Sequence, residues 1–191
     1  MSKVIVITGG IGSGKSVVSE YLRTVGYQVY DCDSRAKYLN NHHPLIISSI
    51  IEEFGQELYS DGQLNTKYLS SIVFGNPDKL KKLNQIVHPR VREDILDWVK
   101  HNNVEKLLFV ETAILKESNL SDLFESVILV DAPVDIRVER VVLRNHMNRS
   151  DIRRRISTQS FDELSVDYKI LNDNIAPLIP QINFIIKALT N

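Results

Sequence analysis

"TGGIGSGKS", Thr8 to Ser16, places four of the chain's eight glycines within six positions. Gly9, Gly14, Lys15 and Ser16 satisfy the spacing GxxxxGK[ST]. The stretch follows VIVI (Val4 to Ile7), an uninterrupted β-branched run of the kind buried on both faces of a parallel sheet. It precedes SVVSEYLRTVG, where Val17, Val18, Tyr21, Leu22 and Val25 share one helical face and Gly26 supplies a stop. Strand, glycine loop and helix are the context this motif needs, because the loop's backbone N–H groups then turn inward around phosphate oxygens at the positive end of a helix. Lys15 becomes a mobile charge for the β and γ phosphates, and the Ser16 hydroxyl a magnesium ligand. The competing reading, a glycine-rich turn that binds nothing, does not account for the full motif in this setting.

Further short strands are expected at QVY (Gln28 to Tyr30), LLFV (Leu107 to Val110) and VILV (Val127 to Val130), with a weaker one at YKIL (Tyr168 to Leu171). Their alternation with helical stretches predicts an α/β fold, a doubly wound parallel five-stranded sheet. The gap between Asp33 and Lys106 is too long for one crossover. It reads as helices in LIISSIIEEF, in LNTKYLSSIVF with Asn65 as cap, in NPDKLKKLNQIV with Pro77 in the first turn, and in HPRVREDILDWVK. The expected organisation is a phosphate-loop core over 1–33 and 106–191 with a helical insertion over 34–105. Within the core, VDIRVERVVLRN reads as a helix, an arginine-dense lid covers about 140–160, and a closing helix follows Pro180.

The composition of the 191 residues is that of an ordinary soluble chain, 43% apolar and 25% charged. A formal net charge of -1 argues against indiscriminate nucleic-acid binding. One cysteine, Cys32, leaves no intramolecular disulfide or CxxC metal site. MSKVIVITGG lacks the pattern of a signal peptide, and no apolar run is long enough to span a bilayer. A cytoplasmic enzyme or binding protein, with no membrane partner, is the expectation. Oligomeric state has no signature here.

A phosphate loop does not choose between kinase, GTPase and mechanical ATPase. No NKxD guanine-reading tetrapeptide is present. YDCD (Tyr30 to Asp33) ends the second strand, and ligands gather at the carboxyl ends of strands in a doubly wound sheet, so Asp31 and Asp33 are expected near the γ phosphate. An Asp after a strand also caps the following helix, which is the plainer reading of either one alone. Seven of the eleven arginines, Arg137, Arg140, Arg144, Arg149, Arg153, Arg154 and Arg155, fall in a span without lysine. Arg137, Arg140 and Arg144 share a helix face at three- and four-residue steps, which brings at least two within reach of one polyphosphate. A solvated face paired with Glu139 and Asp151 competes with the lid reading for any single arginine.

Taken together, the chain resembles the dephospho-coenzyme A kinases over essentially its whole length. TGGIGSGKS and DCD are similar to that family's TGGIGSGKS and DAD. IVFGNPDKLKKLNQIVHPRVR resembles IVF…L..I.HP.VR, and AILKE (Ala113 to Glu117) stands for PLLFE. RVERVVLR, RISTQ and DYKILN resemble QxxRLxxR, RI..Q and DyvIdN. The resemblance implies transfer of the ATP γ phosphate, with Mg2+, to the ribose 3'-hydroxyl of dephospho-coenzyme A. The fold it implies is a nucleoside-monophosphate-kinase-like core with a coenzyme-A-binding insertion and a lid.

Carried onto matching positions, the resemblance makes Asp33 the catalytic base, with Asp31 a metal-shell or supporting group, Lys15 with Ser16 the phosphate and magnesium groups, and Arg140 a catalytic lid arginine. Gly10, Ile11, Gly12, Ser13, Gly14, Lys15, Ser16 and Val17 would line the ATP site with Arg144 and Asn172. Thr8, Lys37, His88, Arg92 and Glu117 would meet the acceptor. Gln159, Asp167 and Asn172 admit either an architectural or an adenine-facing role, and His88-Pro89 also reads as an ordinary helix start. Departures from the pattern are Arg137 for Gln, Lys37 for Arg, Ala113 for Pro, Lys116 for Phe and Cys32 for Ala. Lysine at 37 cannot make a bidentate fork. The rival readings are another small-molecule or nucleotide kinase of the phosphate-loop class, and a nucleotide-operated switch or nucleic-acid ATPase that uses the arginine cluster as a polyanion groove.

Overall fold

The computed structural model describes residues 2–113, 115, 120–145, 147–159, 161 and 164–191. The chain divides into two compact units, Met1–Asp31 with His101–Asn191, and Cys32–Lys100.

In the first unit the apolar run after Ser2 forms β1 (Lys3–Thr8), buried at every position but the first. It leads through the glycine loop into α1 (Lys15–Thr24) and then β2 (Gln28–Asp31). Beyond the second unit come β5 (Leu107–Glu111), wholly buried, and β6 (Ser126–Asp131), α6 (Val134–Asn145), α7 (Arg149–Ser157), β7 (Tyr168–Leu171) and α8 (Leu178–Thr190). The five strands pair in parallel in the order β2-β5-β1-β6-β7, the doubly wound sheet expected from the pattern. Parallel strands of this kind are covered on both faces by their crossover helices, so their sequences read as unbroken apolar runs.

Ile5 and Ile7 of β1 and Leu107 and Phe109 of β5 present alternate residues to one core, where Val18 and Leu22 of α1 and Ile182, Ile185 and Leu189 of α8 meet them. Tyr27 packs edge-on against Phe109, with ring centroids 5.4 Å apart. A second cluster joins Val138 and Val141 of α6 to Ile152 and Ile156 of α7, with Ile11 of the glycine loop against it. The closing helix begins at Leu178, so Pro180 lies within its first turn rather than before it, where a missing N–H leaves no bond unmade.

The second unit comprises α2 (Cys32–His42), α3 (Pro44–Phe54), a hairpin of β3 (Tyr59–Ser60) and β4 (Gln63–Leu64), α4 (Thr66–Val73) and α5 (Pro77–His101). Asn65 caps α4 as expected, its Oδ1 accepting from Tyr68 N at 3.0 Å. The two helices expected on either side of His88-Pro89 are one helix of 25 residues with Pro89 inside it. Proline removes one backbone bond, but Val87, Val91 and Ile95 form a buried stripe at four-residue steps that continues through the proline and holds the helix together. The pattern had not indicated α2, because only Cys32 and Leu39 are buried in its eleven residues. The hairpin was also unanticipated; Asp61 (φ 50) and Gly62 (φ 72) turn it with two left-handed residues, and Tyr59 Oη donates to Asn40 O at 2.7 Å.

Candidate active site

The chain runs from β1 to β2 on one side of the sheet and from β5 to β6 on the other, so the strand order reverses between β5 and β1. The crevice at their carboxyl ends is where such sheets bind ligands. Both strand ends deliver chemistry there: β1 runs into the glycine loop, and β5 ends on Glu111.

The loop is held from outside through its carbonyls. Ile11 O accepts from Arg137 Nε at 2.9 Å, Gly12 O from Arg140 Nη1 at 3.3 Å, and Ser13 O from Asn172 Nδ2 at 2.8 Å and Arg140 Nη1 at 3.3 Å. A trans peptide points its N–H opposite to its carbonyl. The N–H groups of Gly12 and Gly14 therefore face away from these side chains, while that of Ser13 closes on Gly10 O at 3.1 Å. Gly14 (φ 97) enters α1 in the left-handed conformation, and a Cβ there would run into Asn172 Nδ2. The result is a concave nest at a helix N-terminus, suited to anionic oxygens.

Lys15 Nζ lies on the rim of this nest, donating to Gly9 O at 2.7 Å and to Gly10 O at 3.4 Å. Ser16 Oγ donates to Glu111 Oε1 at 3.1 Å. Glu111 is 8% exposed and stands in register with Asp31 of β2, so two carboxylate residues lie side by side at the strand ends. Glu111 was not among the residues singled out from the sequence. The signal was present: like Asp31, it is an acid that follows an apolar strand directly. Thr8, at the end of β1, is fully buried, and its hydroxyl has no hydrogen-bond partner among the described residues; the same holds for Ser13 Oγ. Val17 is exposed on the first turn of α1.

The three arginines of α6 separate. Arg137 is buried on the loop, and desolvation pushes its guanidinium below the ordinary value, opposed by the charge of Asp131. Arg140 bridges the loop to the segment after β7, with Nη2 donating to Asn172 O at 3.0 Å and Asn172 Oδ1 at 3.1 Å, and also to Asn174 Oδ1. Arg144 is exposed, its Nε donating to Asn145 Oδ1 at 2.7 Å. On α7, Arg153 pairs with Asp135 at 2.6 Å and Arg154 with Asp151 at 3.0 Å, which are surface ion pairs. Asn172 is itself buried beneath the loop. The segment that follows is fixed by Asp173, whose carboxylate is held below its ordinary value by the N–H groups of Ala176 and Ile175.

The second unit carries its candidates on two helices. Asp33 and Lys37 lie one turn apart on α2, both exposed, with Asp33 in the first turn where the helix end favours a carboxylate. His88 and Arg92 lie one turn apart on α5 and are half-buried. A bidentate pair joins the two helices, Arg35 Nε to Asp94 Oδ2 at 2.9 Å and Nη2 to Oδ1 at 2.6 Å. Arg35 also lies over the Tyr38 ring at 4.9 Å from its centroid. Glu117 lies outside the described residues.

Among the described residues no group of three or more His, Cys, Asp or Glu side chains gathers at a metal-sized gap. A magnesium ion that keeps several waters and takes phosphate oxygens needs only one or two protein oxygens. The Ser16 hydroxyl and the Glu111 carboxylate, with Asp31 beside it, are a donor set of that kind. No helix among the described residues is long and apolar enough to cross a membrane.

The sequence pattern of the dephospho-CoA kinase family matches residues 3–176. A dephospho-CoA kinase of Porphyromonas gingivalis is 40% identical over 187 residues, 96% of this chain and 92% of that protein. A crystal structure from Thermus thermophilus superposes with a TM-score of 0.83 at 29% identity, covering 99% of this chain and 96% of the other. The dephospho-CoA kinase of Campylobacter jejuni shares the fold, with a TM-score of 0.72 at 24% identity and coverage of 99% and 98%. A glycine loop between β1 and α1 and relatedness along almost its entire length lead to one conclusion: the chain belongs to the dephospho-CoA kinase family.

Proposed function

We propose that the protein transfers the γ phosphate of ATP to the ribose 3'-hydroxyl of dephospho-coenzyme A, giving coenzyme A and ADP. The observation that carries this reading is the loop with Lys15 on its rim and Ser16 bonded to Glu111 at the switch point of the sheet, in a chain of this family. The nest and Lys15 neutralise charge on the β and γ phosphates, and Gly10 to Val17 form the phosphate end of the ATP site. Ser16 and Glu111 would hold magnesium, which would supply positive charge to offset that of the phosphates.

The base is Asp33. It takes the proton of the 3'-hydroxyl as the new oxygen–phosphorus bond forms, while the bond from the γ phosphorus to the bridging oxygen breaks and ADP leaves with the electron pair. Thr8, Lys37, His88, Arg92 and Glu117 are assigned to the acceptor and the second unit to its binding. Arg140 and Arg144 are assigned to the phosphates and nucleotide. Asn172 serves the nucleotide through the loop it supports, its Nδ2 donating to Ser13 O and its Oδ1 accepting from Arg140 Nη2. A cytoplasmic location belongs to the same reading, as ATP is a cytoplasmic metabolite.

Incubation with ATP, magnesium and a panel of acceptors, followed by phosphorus NMR of the product, tests the reaction and its regiochemistry. Shikimate, nucleoside monophosphates and dephospho-coenzyme A belong in the panel. The reading fails if folded, ATP-binding protein leaves dephospho-coenzyme A unconverted.

A further inference from the structure

Ile11 is attached to the helices behind the loop at three points. Its side chain packs on the cluster made by Val138, Val141, Ile152 and Ile156 of α6 and α7. Its carbonyl accepts from Arg137 Nε at 2.9 Å, and its N–H donates to Gln159 Oε1 at 2.9 Å. The same Gln159 oxygen accepts from Arg137 Nη2 at 3.2 Å, so one oxygen ties the end of the arginine-rich α7 segment both to the loop and to α6. The guanidinium lies against Gly10, where a Cβ would collide with Nη2, and a Cβ at Gly12 would collide with the Arg137 carbonyl. The loop backbone and this arginine are therefore fitted to each other on both sides of Ile11.

We propose that Arg137 and Gln159 are positioning residues for phosphoryl transfer, forming a latch that makes the orientation of the Ile11 peptide, and with it the mouth of the phosphate nest, depend on the seating of α7. The inference rests on the phosphate-loop reading above. Neither residue needs to touch the nucleotide for this role; each acts through Ile11. Both bonds to Gln159 end on its carbonyl oxygen, so the latch requires an acceptor at position 159 and no donor.

That requirement separates the latch from a direct contact with phosphate, which would use the amide N–H groups. Gln159 is half-buried at a helix end, so its variants do not hollow the core as removal of Arg137 would. Gln159→Leu is expected to lower kcat about tenfold while KM for dephospho-coenzyme A stays within about twofold, as for loss of a group that orients the transition state. Gln159→Glu keeps both acceptor bonds and should hold kcat within about threefold of the parent. Amide exchange at Ile11 in nucleotide-free protein reads the latch without any assay of turnover: faster in Gln159→Leu and unchanged in Gln159→Glu. Equal losses of kcat in the two variants, or Ile11 exchange indifferent to Gln159→Leu, would overturn the latch. If the parent protein fails to phosphorylate dephospho-coenzyme A, the exchange result still decides the latch while the substrate reading falls separately.

Discussion

Ser16, in the first turn of α1, donates its hydroxyl to Glu111 Oε1 over 3.1 Å, joining the start of that helix to the end of β5. If magnesium binds as proposed, this hydroxyl and nearly buried carboxylate are its protein ligands. Glu111→Gln keeps the shape and removes the charge. It should lower turnover about 10–100-fold and raise the magnesium concentration needed for half-maximal rate, the size of effect seen when support of a metal site is lost. Titration of rate against magnesium checks this; an unchanged magnesium dependence would remove Glu111 from the metal site.

Lys15 lies on loop carbonyls rather than in a core, so its removal leaves no cavity. Lys15→Ala should cost about 10² to 10³ in kcat, the range for deleting one group aimed at developing charge. Its melting temperature should match the parent's. Retained activity in a folded variant would exclude Lys15 from phosphate binding.

Asp31 ends β2 in register with Glu111, whereas Asp33 opens α2. If Asp33 is the base, Asp33→Asn should lower kcat by about 10² to 10⁴ with little change in either Michaelis constant. Asp31→Asn is the comparison. Should it, and not Asp33→Asn, abolish turnover, the base is Asp31.

Arg140 spans Gly12, Ser13, Asn172 and Asn174 with one guanidinium. A lysine offers no fork and cannot span both segments. Arg140→Lys is therefore expected to behave like Arg140→Ala, lowering both the melting temperature and kcat. Full rescue by lysine would show that charge alone matters at this position.

Burial raises the Tyr59 phenol from 10.0 to about 12. A raised value means that the folded state holds the proton more tightly than the unfolded chain. The associated stability is complete below pH 10 and declines as pH rises from 10 towards 12. Tyr59→Phe forfeits the bond to Asn40 O, about 1 kcal/mol near neutral pH. The gap in melting temperature between parent and variant should narrow between pH 9.5 and 11, about where the phenol of an unfolded chain ionises. A gap that does not narrow would place Tyr59 in solvent.

The five strands, the glycine loop, the Asn65 cap and most of the helices were legible in the sequence because each is written in neighbouring residues: an unbroken apolar run, a spacing of glycines, a stripe at helical steps. The family resemblance was legible for the same reason, as ordered short motifs. Tertiary structure decided what distant segments do to each other. Glu111 became part of the site only when β5 paired with β1 and brought it to Ser16, 95 positions away. Arg137, read with its neighbours as a phosphate-reaching face, is buried because the loop packs over it, and Asn172 is occupied by Ser13 O across 159 positions. The long α5 persists through Pro89 because a buried stripe outweighs one missing backbone bond, a balance that local propensity cannot express. A side chain's type and spacing are local properties, but its hydrogen-bond partner and its exposure belong to the packing of the whole chain.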